Sequence, residues 1–102
     1  MKLVEKLPEL VSDLEGALLP LGRGDLLEQA QQATLERWSY DEFADTAYLH
    51  LTAEPLERLR LETFSLHDEL GVNLELDGRG RLCGIEIMEG RRIFARLQEA
   101  HP

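Results

Sequence analysis

The sequence predicts an α+β fold, with an N-terminal helical hairpin packed on an antiparallel β-meander of four to five strands and a C-terminal tail or short helix. Three observations predict it. Apolar residues recur at spacings of three and four over the first third, then switch to a spacing of two. The alternating segments are separated by turns of a few residues, which permits antiparallel neighbours but not parallel ones. A sheet with one apolar face must be covered, and the N-terminal helices are the cover within reach. The length of 102 residues corresponds to one domain. It divides into a helical hairpin (1–33), a sheet (34–88) and a tail (89–102).

Leu7, Leu10, Val11, Leu14, Ala17, Leu18 and Leu21 fall on one helical stripe. Pro8 suits a first turn and would disrupt an interior, so the regular helix is expected from about Pro8 to Leu19. The segment PLGRG breaks it. Asp25 followed by Glu28 resembles a capping box, with Asp25 accepting an early backbone N–H of a second helix from about Leu26 to Ala33. That helix carries Leu26, Leu27 and Ala30 inward.

After Ala33, LERWSY places Trp38 and Tyr40 on one face. DEFAD serves as a connection. TAYLHLT puts Ala47, Leu49 and Leu51 on one face and Tyr48 and His50 on the other. AEP turns the chain. LERLRLETF alternates through Leu59 and Leu61, but the phase slips at Phe64 and Leu66, so a bulge or a strand end is expected near Thr63. VNLEL aligns Val72, Leu74 and Leu76, and RLCGIEIM closes the series. The tail RRIFARLQEA spaces Ile93, Phe94 and Leu97 as a short helix would, although two arginines oppose the dipole at its start.

The formal net charge of −9 argues against nucleic acid as a partner, because phosphates would be repelled. The charge is uneven: residues 1–77 hold 6 basic and 17 acidic side chains, whereas residues 78–102 hold 5 and 3. No window approaches ~18 consecutive apolar residues, so no membrane span is expected. The start MKLVEKLPEL resembles neither a signal nor a transit peptide. One cysteine cannot form an intrachain disulfide, which fits a reducing compartment, so a cytoplasmic protein is the expectation.

The stretch LDGRGRLCGIEI combines a Gly-x-Gly, two arginines and the single cysteine. A dinucleotide fingerprint would need a third glycine one place earlier than Gly84 and a helix after it, and strand-like sequence follows instead. The expected reading is a hairpin, with Asp77-Gly78 as the turn dipeptide and Gly80 as a second flexible position of a bulged turn. Cys83 lies between apolar neighbours and is expected to be a buried, inert thiol. A zinc site would need three ligands in fixed geometry, and no His-x-x-x-His or Cys-x-x-Cys occurs. The dispersed His50, His67, Asp41, Glu42 and Asp45 therefore carry no metal expectation. Asp41 and Asp45 are expected to shape the turn by accepting backbone N–H bonds. Glu86, between two isoleucines that face the other way, is expected on the polar face, or bonded to adjacent backbone or to an arginine such as Arg60 or Arg81. The aromatic residues Trp38, Tyr40 and Tyr48 are expected in cross-strand packing or a dimer contact.

From Trp38 onward, the blocks YDEFADTAYLHL and GVNLELDGRGRLCGIEI, in this order, resemble the pattern of a small bacterial family, the domain of unknown function 2283. The first block, YDEFADTAYLHL, matches its pattern at Tyr40, Asp41, Ala44, Asp45 and Tyr48. The second, GVNLELDGRGRLCGIEI, matches at Gly71, Val72, Asp77, Gly80, Gly84, Ile85, Glu86 and Ile87. Phe43 stands where the family usually has an acid, Ala47 where it has a large apolar residue, and Glu75 where aspartate is common. Residues 1–33 are unmatched. The resemblance implies a fold and little about activity; it points weakly to a binding partner, since members are suspected of accompanying toxin-like neighbours.

These readings together favour a non-enzymatic interaction or self-association module, most readily a homodimer, with no cofactor. Asp41, Asp45, Tyr48 and Glu86 are its candidate functional residues; Asp77, Gly78, Gly80 and Gly84 are turn-formers. The competing readings are an antitoxin-like neutraliser of a basic protein partner and a small enzyme with a cleft around Glu86 and Asp45.

Overall fold

The structure, a computed structural model, describes residues 1–55, 58–66 and 71–99. Helices α1 (Leu3–Lys6), α2 (Pro8–Leu18) and α3 (Gly24–Gln32) precede strands β1 (Arg37–Asp41), β2 (Thr46–His50), β3 (Glu62–Leu66), β4 (Val72–Leu76) and β5 (Leu82–Met88), and α4 (Arg91–Glu99) follows. The α+β class is thus as expected, with helices at the N-terminus, a five-stranded antiparallel sheet and a short C-terminal helix.

Pro8 opens α2 at its first turn, and Leu10, Val11, Leu14 and Leu18 turn inward. Fully burying each such side chain contributes roughly 1.5–3 kcal/mol relative to leaving it exposed. The helix closes on Gly22 in the left-handed region at φ 71, with Arg23 N–H donating to the Leu18 carbonyl at 3.0 Å and Gly22 N–H to that of Leu19 at 3.0 Å. Leu21, expected on the apolar stripe, falls in this turn and is 57% exposed. The second helix starts earlier than expected, at Gly24. Asp25 therefore lies inside its first turn rather than at the N-cap; its carboxylate accepts the Arg23 Nε and Nη2 at 3.0 Å each. That ion pair holds the Asp25 carboxyl below its usual range.

The strand order is β1-β2-β5-β4-β3, antiparallel at every step. Adjacent hairpins β1–β2 and β3–β4–β5 form as the short turns predict, but the order is not a straight meander. The segment after β2 carries the chain past two strands to the far edge, and β5 returns to pair with β2. The physical reason lies in β5, whose residues Leu82 to Ile85 are all buried, so it belongs at the centre rather than at an edge. The phase slip also resolves differently. No strand precedes Glu62 among residues 58–61; β3 begins there and runs through Thr63, with Phe64 and Leu66 setting its inward face. The irregularity of the sheet sits instead in β5, where the register with β4 shifts between Glu75 and Leu76 opposite Cys83.

All helices lie on one face of the sheet. Arg23, ahead of α3, stands 5.1 Å from the centre of the Phe64 ring on β3, and Phe94 of α4 stacks on Tyr40 of β1 at 4.8 Å. Arg96 of α4 pairs with Glu9 of α2 at 2.8 Å. Between them lies the core, built on Leu49, Leu74, Ile85 and Val72 from the sheet and Leu3, Leu7, Leu14 and Leu26 from the helices. Trp38 and Tyr40 also pack against it, as cross-strand packing would have them.

Candidate binding face

Among the described residues no element covers the second face of the sheet. The register arranges its side chains in rows across the strands. One row runs Arg37, His50, Gly84, Glu75, Thr63; the next runs Ser39, Tyr48, Glu86, Asn73, Ser65. Period-two alternation puts these residues outward because their neighbours Ala47, Leu49, Leu74, Ile85 and Ile87 are drawn into the core.

Tyr48 lies at the middle of this face. Its ring crosses Gly84, where an added Cβ would stand 2.7 Å from Cζ, so the glycine serves close approach rather than a turn. The His50 ring lies beside it at 4.8 Å, tilted by 58°. Burial first, then the negative charges of Glu75 and Glu86, push the Tyr48 phenol up to about 12. Its hydroxyl makes no hydrogen bond among the described residues and stays protonated at neutral pH. Burial and the nearby Arg37 push the His50 imidazole down. Its Nδ1 is buried without a partner among the described residues.

Glu86 is on the polar face as expected, but its partner is neither Arg60 nor Arg81. Asn73 donates an amide N–H to it at 2.9 Å. Likewise the Thr63 hydroxyl donates to Glu75 at 2.9 Å. Both carboxylates are therefore held by neutral donors, with no cationic partner among the described residues.

Asp41 and Asp45 lie at the β1–β2 turn, away from this face. Asp41 accepts the N–H groups of Phe43 at 3.0 Å and Ala44 at 3.3 Å, shaping the turn. At the tip, Phe43 is 100% exposed. Asp45 does something the sequence did not suggest. In the left-handed region at φ 48, it accepts the Tyr40 hydroxyl at 2.6 Å and the Arg91 N–H at 3.2 Å. It thereby caps α4 and offsets the two arginines at the positive end of that helix. Asp45 points to the helix side of the sheet, toward Tyr40 and α4, and Glu86 to the open side, beside Tyr48 and Asn73. The juxtaposition that a cleft around Glu86 and Asp45 requires does not occur. Nor do His50, Asp41, Glu42 and Asp45 gather, since His50 is at the opposite end of β2 from the turn; His67 lies outside the described residues.

The β4–β5 turn is a hairpin, though not of the Asp-Gly primed type. Gly80, not Gly78, takes the left-handed conformation at φ 77, and Gly80 N–H donates to the Asp77 carbonyl at 3.0 Å. The loop is thus a three-residue turn closed by a glycine bulge. Asp77, 7% exposed, organises it: its carboxylate accepts the N–H groups of Arg79 at 2.8 Å and Arg81 at 2.9 Å, and the Arg81 Nε at 2.7 Å. Gln29 of α3 then fastens the turn to the helices, donating to the Gly80 carbonyl at 3.0 Å and accepting Leu82 N–H at 2.8 Å. Sequence reasoning missed Gln29; the signal was an amide at helical spacing between Leu26 and Ala30. Cys83 is buried as expected, lining a cleft of about 160 Å³, and burial raises its thiol above the usual range.

These contacts give Asp77 a pH signature. Backbone N–H bonds, the Arg81 amide foremost, lower its folded-state pKa. A lowered carboxyl pKa contributes stability that is complete above the unfolded value, about 3.9, and lost as pH falls through the folded value. Asp77→Asn is expected to lower the thermal midpoint at neutral pH and to flatten its decline below about pH 4 relative to the wild type. Parallel acid melts followed by circular dichroism check this; equal slopes would refute it.

The fold and face define a small α+β protein with a one-sided antiparallel sheet. A family model described as "Protein of unknown function (DUF2283)" matches residues 37–89, just over half the chain and the whole of the sheet, and the chain belongs to that family. The helical hairpin lies outside the matched region. No curated protein and no solved structure matches the chain. Among the described residues no helix is long and apolar enough to cross a membrane.

Proposed function

We propose that the protein is a non-enzymatic module that works by associating with a second copy of itself. The observation that carries the reading is the division of the sheet: among the described residues the helices pack on one face and nothing covers the other around Tyr48 and His50. The edge strands are poorer candidates for association. Both β1 and β3 are five residues long, and each carries exposed charge, Arg37 and Asp41 on one and Glu62 on the other. Short, charged edges resist strand addition. A reducing, cytoplasmic setting suits the buried unpaired cysteine. Sedimentation velocity over rising protein concentration is expected to show a monomer–dimer equilibrium. A single monomeric species at the highest concentration would defeat the reading.

A further inference from the structure

We propose that the open face of the sheet is the contact surface of a two-fold dimer, in which Arg37 of each copy pairs with Glu75 of the other. The inference rests on the reading of the protein as a self-associating module and adds the face, the axis and the pairing.

The row Arg37, His50, Gly84, Glu75 crosses four neighbouring strands, β1, β2, β5 and β4. It carries a cation at one end and a carboxylate at the other, three strand spacings or about 14 Å apart. Arg37 is exposed and has no hydrogen bond or ion pair among the described residues. Among the described residues Glu75 is held by the Thr63 hydroxyl and by no cation, which leaves it available to one. The midpoint of the row falls between β2 and β5. A two-fold axis through that midpoint, parallel to the strands and lying in the plane of contact, sets β1 over the partner's β4 and β2 over its β5. Arg37 then meets the partner's Glu75, and symmetry makes the contact twice. The same operation sets Tyr48, with its unbonded hydroxyl, over the strand that carries the partner's Glu86. A protonated phenol can donate there to a carboxylate that, among the described residues, receives only the Asn73 amide.

The charge order also selects the occupant. A uniformly basic partner would gain at Glu75 and Glu86 but be repelled at Arg37, whereas a second copy turned about this axis matches both ends.

Charge reversal with rescue tests the pairing. Sedimentation equilibrium is run on the wild type, Arg37→Glu, Glu75→Arg and the double variant, each first shown to be folded by circular dichroism. The wild type is expected to dimerise. Each single reversal places like charges in contact twice and is expected to weaken the dimer by at least about tenfold. The double variant is expected to return to within about threefold of the wild type. Because Glu75→Arg forfeits the Thr63 bond, Glu75→Gln provides a variant that keeps an acceptor and loses only the charge; it too is expected to weaken the dimer. Unaltered dimerisation in the single variants would overturn this interface while leaving self-association intact. Folded single variants that dissociate without rescue in the double variant would overturn the pairing. A monomeric wild type, including one that binds a basic protein instead, would overturn both readings.

Discussion

Replacing Ile85 by alanine is expected to destabilise the protein by about 2–5 kcal/mol, the range for removing a large aliphatic side chain from a packed interior. Ile85 is fully buried at the middle of the central strand, directly opposite Leu49 of β2 on one side and Leu74 of β4 on the other, both themselves fully buried. The three side chains form a layer of the core against which the helices pack, and Leu49 and Leu74, fully buried and fixed in paired strands, cannot close the void without shifting the sheet. The cost is therefore expected at the upper part of the range. A domain of this size has total stability of about 5–15 kcal/mol, so the variant would retain only a fraction of it. Urea unfolding should show a lower midpoint with an unchanged slope. Ser39→Ala, on the exposed side of β1, is the control, expected within about 0.5 kcal/mol of the wild type. Equal midpoints for the two variants would contradict the placement of β5 at the centre of the sheet.

Much of this architecture was legible because side-chain period reports burial directly. The spacing from Leu7 to Leu18 marks a helix, and the alternation through Ala47 and Leu49 or Val72 to Leu76 marks half-buried strands, whatever they pack on. Strand order was not legible. A short turn reports only which strands are joined, and the pairing of β2 with β5 spans residues 46 to 88. The near-continuous burial of Leu82 to Ile85 was the local trace of it, visible as a long apolar run but also compatible with the hairpin alone. The candidate residues divided in the same way. Asp41 acts within three residues of itself, so the turn around it could be read. Asp45 reaches Arg91, 46 residues on, and Gln29 reaches Leu82, 53 residues on, and no local pattern encodes such contacts. Glu86 was placed on the correct face by alternation, whereas its bond to Asn73 required the register of two strands. The available charge on Arg37 is likewise a property of the assembled face, since it consists in the lack of an anion beside it among the described residues.

Gly90→Ala is expected to destabilise the fold by about 3 kcal/mol, at the upper end of what overpacking usually costs. An added Cβ at Gly90 would stand 2.6 Å from the Ala47 Cβ and 3.0 Å from its Cα, and a fully buried backbone cannot yield as the end of a flexible side chain can. The chain is fixed on both sides of the contact. Gly90 N–H donates to the Asp45 carbonyl at 2.8 Å, and the Asp45 carboxylate caps the next residue, Arg91. Relief would require α4 to lift from β1 and β2, loosening the Tyr40–Phe94 stack and the buried Leu97. The same contact disfavours a larger side chain at residue 47, which would meet Gly90 from the opposite side. Ala47→Val is accordingly expected to destabilise the protein as well, despite improving strand propensity. Because both substitutions act through one contact, their effects should not add: the double variant is expected to differ from the sum of the single effects by more than about 0.5 kcal/mol. Urea unfolding of the two single variants and the double variant measures the coupling. Strict additivity would show that the start of α4 and β2 do not press on each other.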